Sequence, residues 1–235
     1  MTEVNGAVVL VTGANGGLGA QFVSQAIARG ARTVYASART PHAWPDARII
    51  PLRLDVTDAA SVEAAAAEAS DVSILVNNAG VGGARSLMSS SVEDVEDVFA
   101  TNVFGALRVA KAFAPVIARN GGGAVVDVLS ALSWLATSGG YSASKAALWS
   151  ITNSLRLELA PQGIQVVGAH LGYTDTPLIA GLDVEKNDPA DVVAAIWNAV
   201  EAGEHEVLAD AASRNIRAAL SGPLENLYPQ LRAHS

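Results

Sequence analysis

The chain has 235 residues, half of them hydrophobic, and a formal net charge of -8, which suits one α/β domain with a sizeable core. No cationic stripe is present, so no nucleic-acid partner is expected; the absence of cysteine excludes disulfides and thiolate metal sites, and the four scattered histidines (His42, His170, His205, His234) show no metal-ligand spacing, so no metal is expected. No apolar stretch could span a bilayer as a helix and no signal pattern opens the chain, so a soluble, cytoplasmic protein without membrane contact is expected.

In chain order, "AVVLVTG", "TVYASAR", "RIIPLRLD", "SILVNNAG", "GAVVDVLS", "IQVVGAHL" and "HEVLAD" are short β-branched runs of the kind buried on both faces. Segments of helix length, several of them Ala-rich, separate them. In "TDAASVEAAAAEAS", Thr57 or Asp58 is the expected N-cap of one such helix. Strand and helix in alternation predict a single-domain doubly wound parallel sheet of Rossmann type over residues 1–235, with about seven strands and helices on both faces. Residues 177–189, after the sixth strand, have the weakest pattern. Ligands of such sheets sit at the strand C-terminal ends, which makes this segment the expected substrate loop.

Gly13, Gly17 and Gly19 follow the first strand where a helix begins. Glycine permits close backbone approach there, and the helix N-terminus offers unpaired N–H groups to a pyrophosphate. Their TGxxxGxG spacing, with "LDVTD" after the third strand and "NNAG" after the fourth, resembles the short-chain dehydrogenase/reductase family over essentially the whole chain. The resemblance implies that Asn15 and Leu18 belong to the phosphate loop. It also implies that Asp55 and Val56 meet the adenine, and that Asn78, Ala79 and Gly80 pass beside the adenosine ribose.

An acid at the end of the second strand would bind the ribose hydroxyls of NAD, whereas an arginine accommodates a 2′-phosphate. The strand closes "YASART", with Ala38 in the acid's place, Arg39 beside it, and Ser37 and Thr40 as hydroxyl donors. NADP(H) is the expected cofactor.

Tyr141 and Lys145 lie four residues apart in "GGYSASKAAL", on one helix face. A phenol titrates near pH ~10, and a neighbouring ammonium would bring it down. In the family this pair is catalytic, joined by a serine at the preceding strand end, here Ser130, and an asparagine in the fourth helix, here Asn102. The resemblance implies that Ser130 holds the carbonyl oxygen and Tyr141 donates the proton. Lys145 tunes Tyr141 and binds the nicotinamide ribose, and Asn102 positions a water. Gly172, Thr174 and Thr176 fall at the nicotinamide carboxamide. Two departures stand out: the interval from Ser130 to Tyr141 is short, with Ser133 a competitor, and Leu171 replaces the family's proline before Gly172.

The expected activity is NADPH-dependent, reversible reduction of a ketone or aldehyde. The alternatives are reduction of an imine or activated C=C bond on the same site, or a non-catalytic NADP(H) sensor. Leu132, Trp134, Leu135 and residues 177–189 are expected to floor an apolar substrate pocket, with His170 as a further candidate lining residue. The Ala-rich fourth and fifth helices, which the family uses to associate, imply a homodimer or homotetramer.

Overall fold

A computed structural model of the chain describes residues 1–234. Seven strands, β1 (Val8–Thr12), β2 (Thr33–Ala38), β3 (Ile49–Arg53), β4 (Ile74–Asn77), β5 (Gly123–Val128), β6 (Ile164–His170) and β7 (Glu206–Leu208), form one sheet. Its order is β3-β2-β1-β4-β5-β6-β7 and every pairing is parallel. The strand order reverses between β1 and β4, which opens a crevice above their C-terminal ends.

Alternation along each strand divides the core into two layers. Val9, Val11, Val34 and Ala36 pack with α1 (Gly17–Ala28) and α6 (Pro189–Ala202), where Phe22 meets Trp197 edge-on at 5.6 Å. Val8, Leu10, Tyr35 and Leu75 pack on the other face with α2 (Ala59–Glu68) and α4 (Ala106–Arg119). Both faces are covered, which is why the strands read as continuous apolar runs. The remaining helices are α3 (Val92–Phe99), α5 (Gly139–Leu159), α7 (Ala211–Ala219) and α8 (Leu224–Leu227). No helix among the described residues is long and apolar enough to cross a membrane.

Asp58, not Thr57, caps α2, its carboxylate accepting the Ala60 N–H at 3.0 Å. The expected strand–helix alternation fails once. Residues 39–48, between β2 and β3, cross over without a helix: Pro41 and Pro45 remove backbone donors from a segment already short for one. In place of a helix, Trp44 packs against the α1 side of the core and Asp46 pairs with Arg48.

A π-helical turn, Ala100–Gly105, joins α3 to α4 without a break. Such bulges rotate the side chains they carry out of regular register. Here the turn carries Asn102.

Candidate active site

A cleft of about 820 Å³ runs over the C-terminal ends of β1, β4, β5 and β6. At one end, Gly13 has φ +66°, and a Cβ there would stand 3.0 Å from the Ala79 Cα. At Gly19 a Cβ would lie 2.1 Å from the Gly13 carbonyl oxygen, so neither position admits a side chain. Gly16, the N-cap of α1, gives no side-chain cap, which leaves the first-turn N–H groups facing the cleft without an internal acceptor. Gly17 packs against Thr176, which brings the loop after β6 down onto the glycine turn.

A latch holds this turn. The Thr12 hydroxyl accepts the N–H groups of Asn78 at 2.9 Å and Ala79 at 3.0 Å and donates to the Val76 carbonyl. The Asn78 amide donates to the carbonyls of Thr12 and Gly13. Asn15 lines the cleft with Leu18 and donates to the Thr40 carbonyl.

Arg39 also lines this end. Ser37 does not: it is fully buried, and its hydroxyl donates to the Val11 carbonyl at 3.0 Å, so it is no free donor for a phosphate. Asp55 and Val56 stand outside the cleft lining. Two hydrogen bonds from Thr57, the hydroxyl's foremost, hold the Asp55 carboxyl below its usual range. The buried Val56 takes the Arg108 guanidinium on its carbonyl.

At the other end Ser130, Tyr141 and Lys145 come together on the cleft wall. Ser130 follows β5, its hydroxyl accepting the Leu132 N–H at 3.0 Å. Ser133 is buried outside the cleft, where its hydroxyl accepts the Ser130 N–H at 3.3 Å. The three-residue turn Ala131–Ser133 thus accommodates the short interval with Ser130 at the strand end.

The Tyr141 phenol is pushed up to about 12 by burial, with the Ser130 hydroxyl pulling the other way. Lys145 Nζ donates to the Val128 carbonyl at 2.8 Å and lies 5.8 Å from the centre of the tyrosine ring. It is directed at the backbone, and it is not among the groups that shift the phenol. The expected lowering of the tyrosine by this ammonium is therefore not present in this arrangement. Burial lowers Lys145 itself to about 8, opposed by Asp127.

Asn102 Oδ1 accepts the Val81 N–H, and Nδ2 donates to the Val81 carbonyl and to Ser144. Asn102 Oδ1 and Lys145 Nζ both approach Gly80, at 3.3 and 3.9 Å from where its Cβ would be.

Beyond β6, Gly172, Thr174 and Thr176 line the cleft. Asp210 holds the turn that follows Leu171, accepting the Gly172 N–H at 2.5 Å and the Asn187 amide at 2.8 Å. Leu132, Leu135, Leu178, Ile179 and Leu182 contribute apolar wall, joined by Ala212 and Ile216 of α7. Trp134 and His170 do not. They stack on each other at 3.8 Å behind the wall, with His170 Nδ1 donating to the Ser130 carbonyl.

Sequence reading missed Thr12, Asp127, Thr152 and Asp210. Asp127 is fully buried in β5 and accepts from Asn77 at 2.9 Å and Thr152 at 2.8 Å; burial raises its pKa. An acid in the middle of "VVDVLS" was the available signal, since a charge in a doubly covered strand needs buried partners.

Residues 7–187 match the short chain dehydrogenase family model. The chain belongs to this family. Among its relatives, a 2-(R)-hydroxypropyl-CoM dehydrogenase of Xanthobacter autotrophicus is 33% identical over 190 residues, covering 73% of this chain and 76% of the relative. A short chain dehydrogenase from Burkholderia cenocepacia, solved in complex with NADP, superposes with a TM-score of 0.90 at 33% identity, covering 99% and 100% of the two chains. A short chain dehydrogenase/reductase from Burkholderia phymatum, in complex with NAD, gives 0.84 at 26% identity over 98% and 97%. Members of a short-chain dehydrogenase family are oxidoreductases, and this chain shares their single parallel sheet.

Proposed function

We propose that this short-chain dehydrogenase reduces a ketone or aldehyde to an alcohol, reversibly, with NADPH as hydride donor and Tyr141 as proton donor. The observation that carries this reading is the grouping of Ser130, Tyr141 and Lys145 on one wall of a cleft that begins at an uncapped, glycine-built helix N-terminus.

The residues fit a dinucleotide. Gly13 and Gly19 lie where any Cβ would collide, so a backbone-lined cradle is available, and the N–H groups of α1 face it. Arg39 in the cleft, with Ala38 where an acid would stand, favours a 2′-phosphate. The related Burkholderia structures hold NADP in one case and NAD in the other, so the choice rests on this arginine.

When bound, the nicotinamide supplies the hydride to the carbonyl carbon. The Ser130 hydroxyl holds the carbonyl oxygen. Tyr141, kept protonated by burial at about 12, gives its proton to that oxygen as negative charge develops there. Lys145, at about 8, stays mostly charged at neutral pH, and its part in this reading is to bind the ribose, its ammonium being turned to the Val128 carbonyl and not to the phenol in this arrangement. Asn102 positions Val81 and the Ser144 turn of α5 around them. The exposed Phe104 and Leu157, on the π-helical turn and α5, suit a homodimer or homotetramer built on these helices.

Oxidation of NADPH against a panel of ketones, aldehydes and imines tests the reading. Carbonyl-dependent oxidation that disappears in Tyr141→Phe supports it, and turnover of imines alone would redirect it.

A further inference from the structure

The charged groups lining the cleft are Arg39, Arg85 and Lys145, and no aspartate or glutamate joins them. In a chain of net charge -8, such a cleft is arranged for anions. Arg39 and Lys145 are accounted for by the dinucleotide. Arg85 is not.

Arg85 has no hydrogen bond or ion pair to any described residue. Arg85 is exposed, but the backbone that presents it is specifically held. Ala84 adopts φ 46°, a left-handed conformation rare for a residue with a Cβ. The Gly140 N–H donates to the Ala84 carbonyl at 2.7 Å, and a Cβ on Gly139 would lie 2.7 Å from the Arg85 carbonyl oxygen. Residues 84 and 85 are thus pinned against the first turn of α5, two residues before Tyr141. Leu178 of the loop after β6 approaches the same segment at Gly82, its Cδ1 being 3.4 Å from where a Cβ would be. Arg85 therefore lines the cleft from the segment that abuts the start of the Tyr141 helix, in the same lining as the apolar Leu132, Leu135, Leu178, Leu182 and Ile216.

We propose that Arg85 recognises an anionic group on the substrate, so that the carbonyl compound reduced here carries a carboxylate, sulfonate or phosphate at the end of an apolar segment. This rests on the carbonyl-reductase reading above. A guanidinium suits all three anions because its fork donates two parallel hydrogen bonds to paired oxygens.

Matched probes test it: 7-oxooctanoate and its methyl ester, with the sulfonate and phosphate analogues as further arms that identify the preferred anion. For wild type, kcat/KM should be about tenfold higher for the best acid than for the ester at low salt, the size of a charge-assisted contact in a solvent-open site. Arg85→Ala should erase that ratio while changing ester turnover less than about twofold, and Arg85→Lys should retain part of it as a point charge. An ester reduced as well as every acid by wild type, or an equal loss for acid and ester in Arg85→Ala, would overturn the proposal. Failure to reduce any probe would sink the reductase reading. The Arg85 site is then read by calorimetric titration into the NADPH-loaded protein. Acid binding tighter than ester binding, lost in Arg85→Ala, supports it, and equal or undetectable binding of the two overturns it.

Discussion

Asn102 grips Val81 at both ends, Oδ1 accepting its N–H at 2.8 Å and Nδ2 donating to its carbonyl at 2.9 Å. The same Nδ2 reaches the Ser144 hydroxyl at 3.1 Å. One carboxamide therefore ties the π-helical turn, the loop after β4 and the helix of Tyr141 and Lys145. Asn102→Leu should leave these polar groups without partners and destabilise the fold by about 1–3 kcal/mol. Urea denaturation checks this. Asn102→Asp, which can accept but not donate, should recover only part of the loss.

The two serines before Tyr141 should separate by what they affect. Ser130→Ala is expected to lower kcat on the order of a hundredfold or more, comparable to losing one donor to a developing oxyanion. Ser133→Ala, remote from the cleft, should leave kcat within a few-fold and act mainly on stability. Steady-state kinetics and thermal melts of both variants decide the assignment, and the opposite pattern would mean that the loop has been re-registered around the site.

Cofactor choice should turn on the end of β2. Wild type is expected to favour NADPH over NADH in kcat/KM, and Ala38→Asp should remove most of that preference by setting a carboxylate against the 2′-phosphate. Equal use of both cofactors by wild type would contradict the role given to Arg39.

Lys145 carries a stability consequence opposite to its catalytic one. Its folded pKa, about 8, lies below the ordinary lysine value of 10.5, so burial of the charged amine weighs against the fold below pH 8. Stability is regained as pH rises from 8 toward 10.5. Lys145→Met should therefore melt higher than wild type at pH 7 in the absence of cofactor, with the gap narrowing by pH 10. Activity should be lost. Differential scanning calorimetry across this range checks the sign.

Most of the architecture was legible because each strand is a short β-branched run covered on both faces, a pattern that survives without knowledge of pairing. The one misjudged connection, residues 39–48, carried its own signal in Pro41 and Pro45. The glycine loop and the Tyr141–Lys145 spacing were legible for a similar reason: local backbone and one helical turn define them. What sequence could not give was anything decided by packing between distant segments. Asp210 reaches back 38 residues to hold the Gly172 turn, and Thr12 latches a loop 66 residues on. Trp134 and His170 lie in segments that do border the cleft, but they stack behind its wall. Lys145 likewise turns to the Val128 carbonyl, a choice that spacing does not specify.

The central claim is that Tyr141 delivers the proton. Its most direct test is kcat of Tyr141→Phe measured beside NADPH affinity, since the substitution removes one hydroxyl and leaves the glycine turn and Arg39 of the cleft untouched. The expected result is a fall in kcat on the order of a thousandfold with NADPH binding within about threefold of wild type. Turnover within tenfold of wild type at unchanged NADPH affinity would contradict it, and proton delivery would then belong to another group in the cleft.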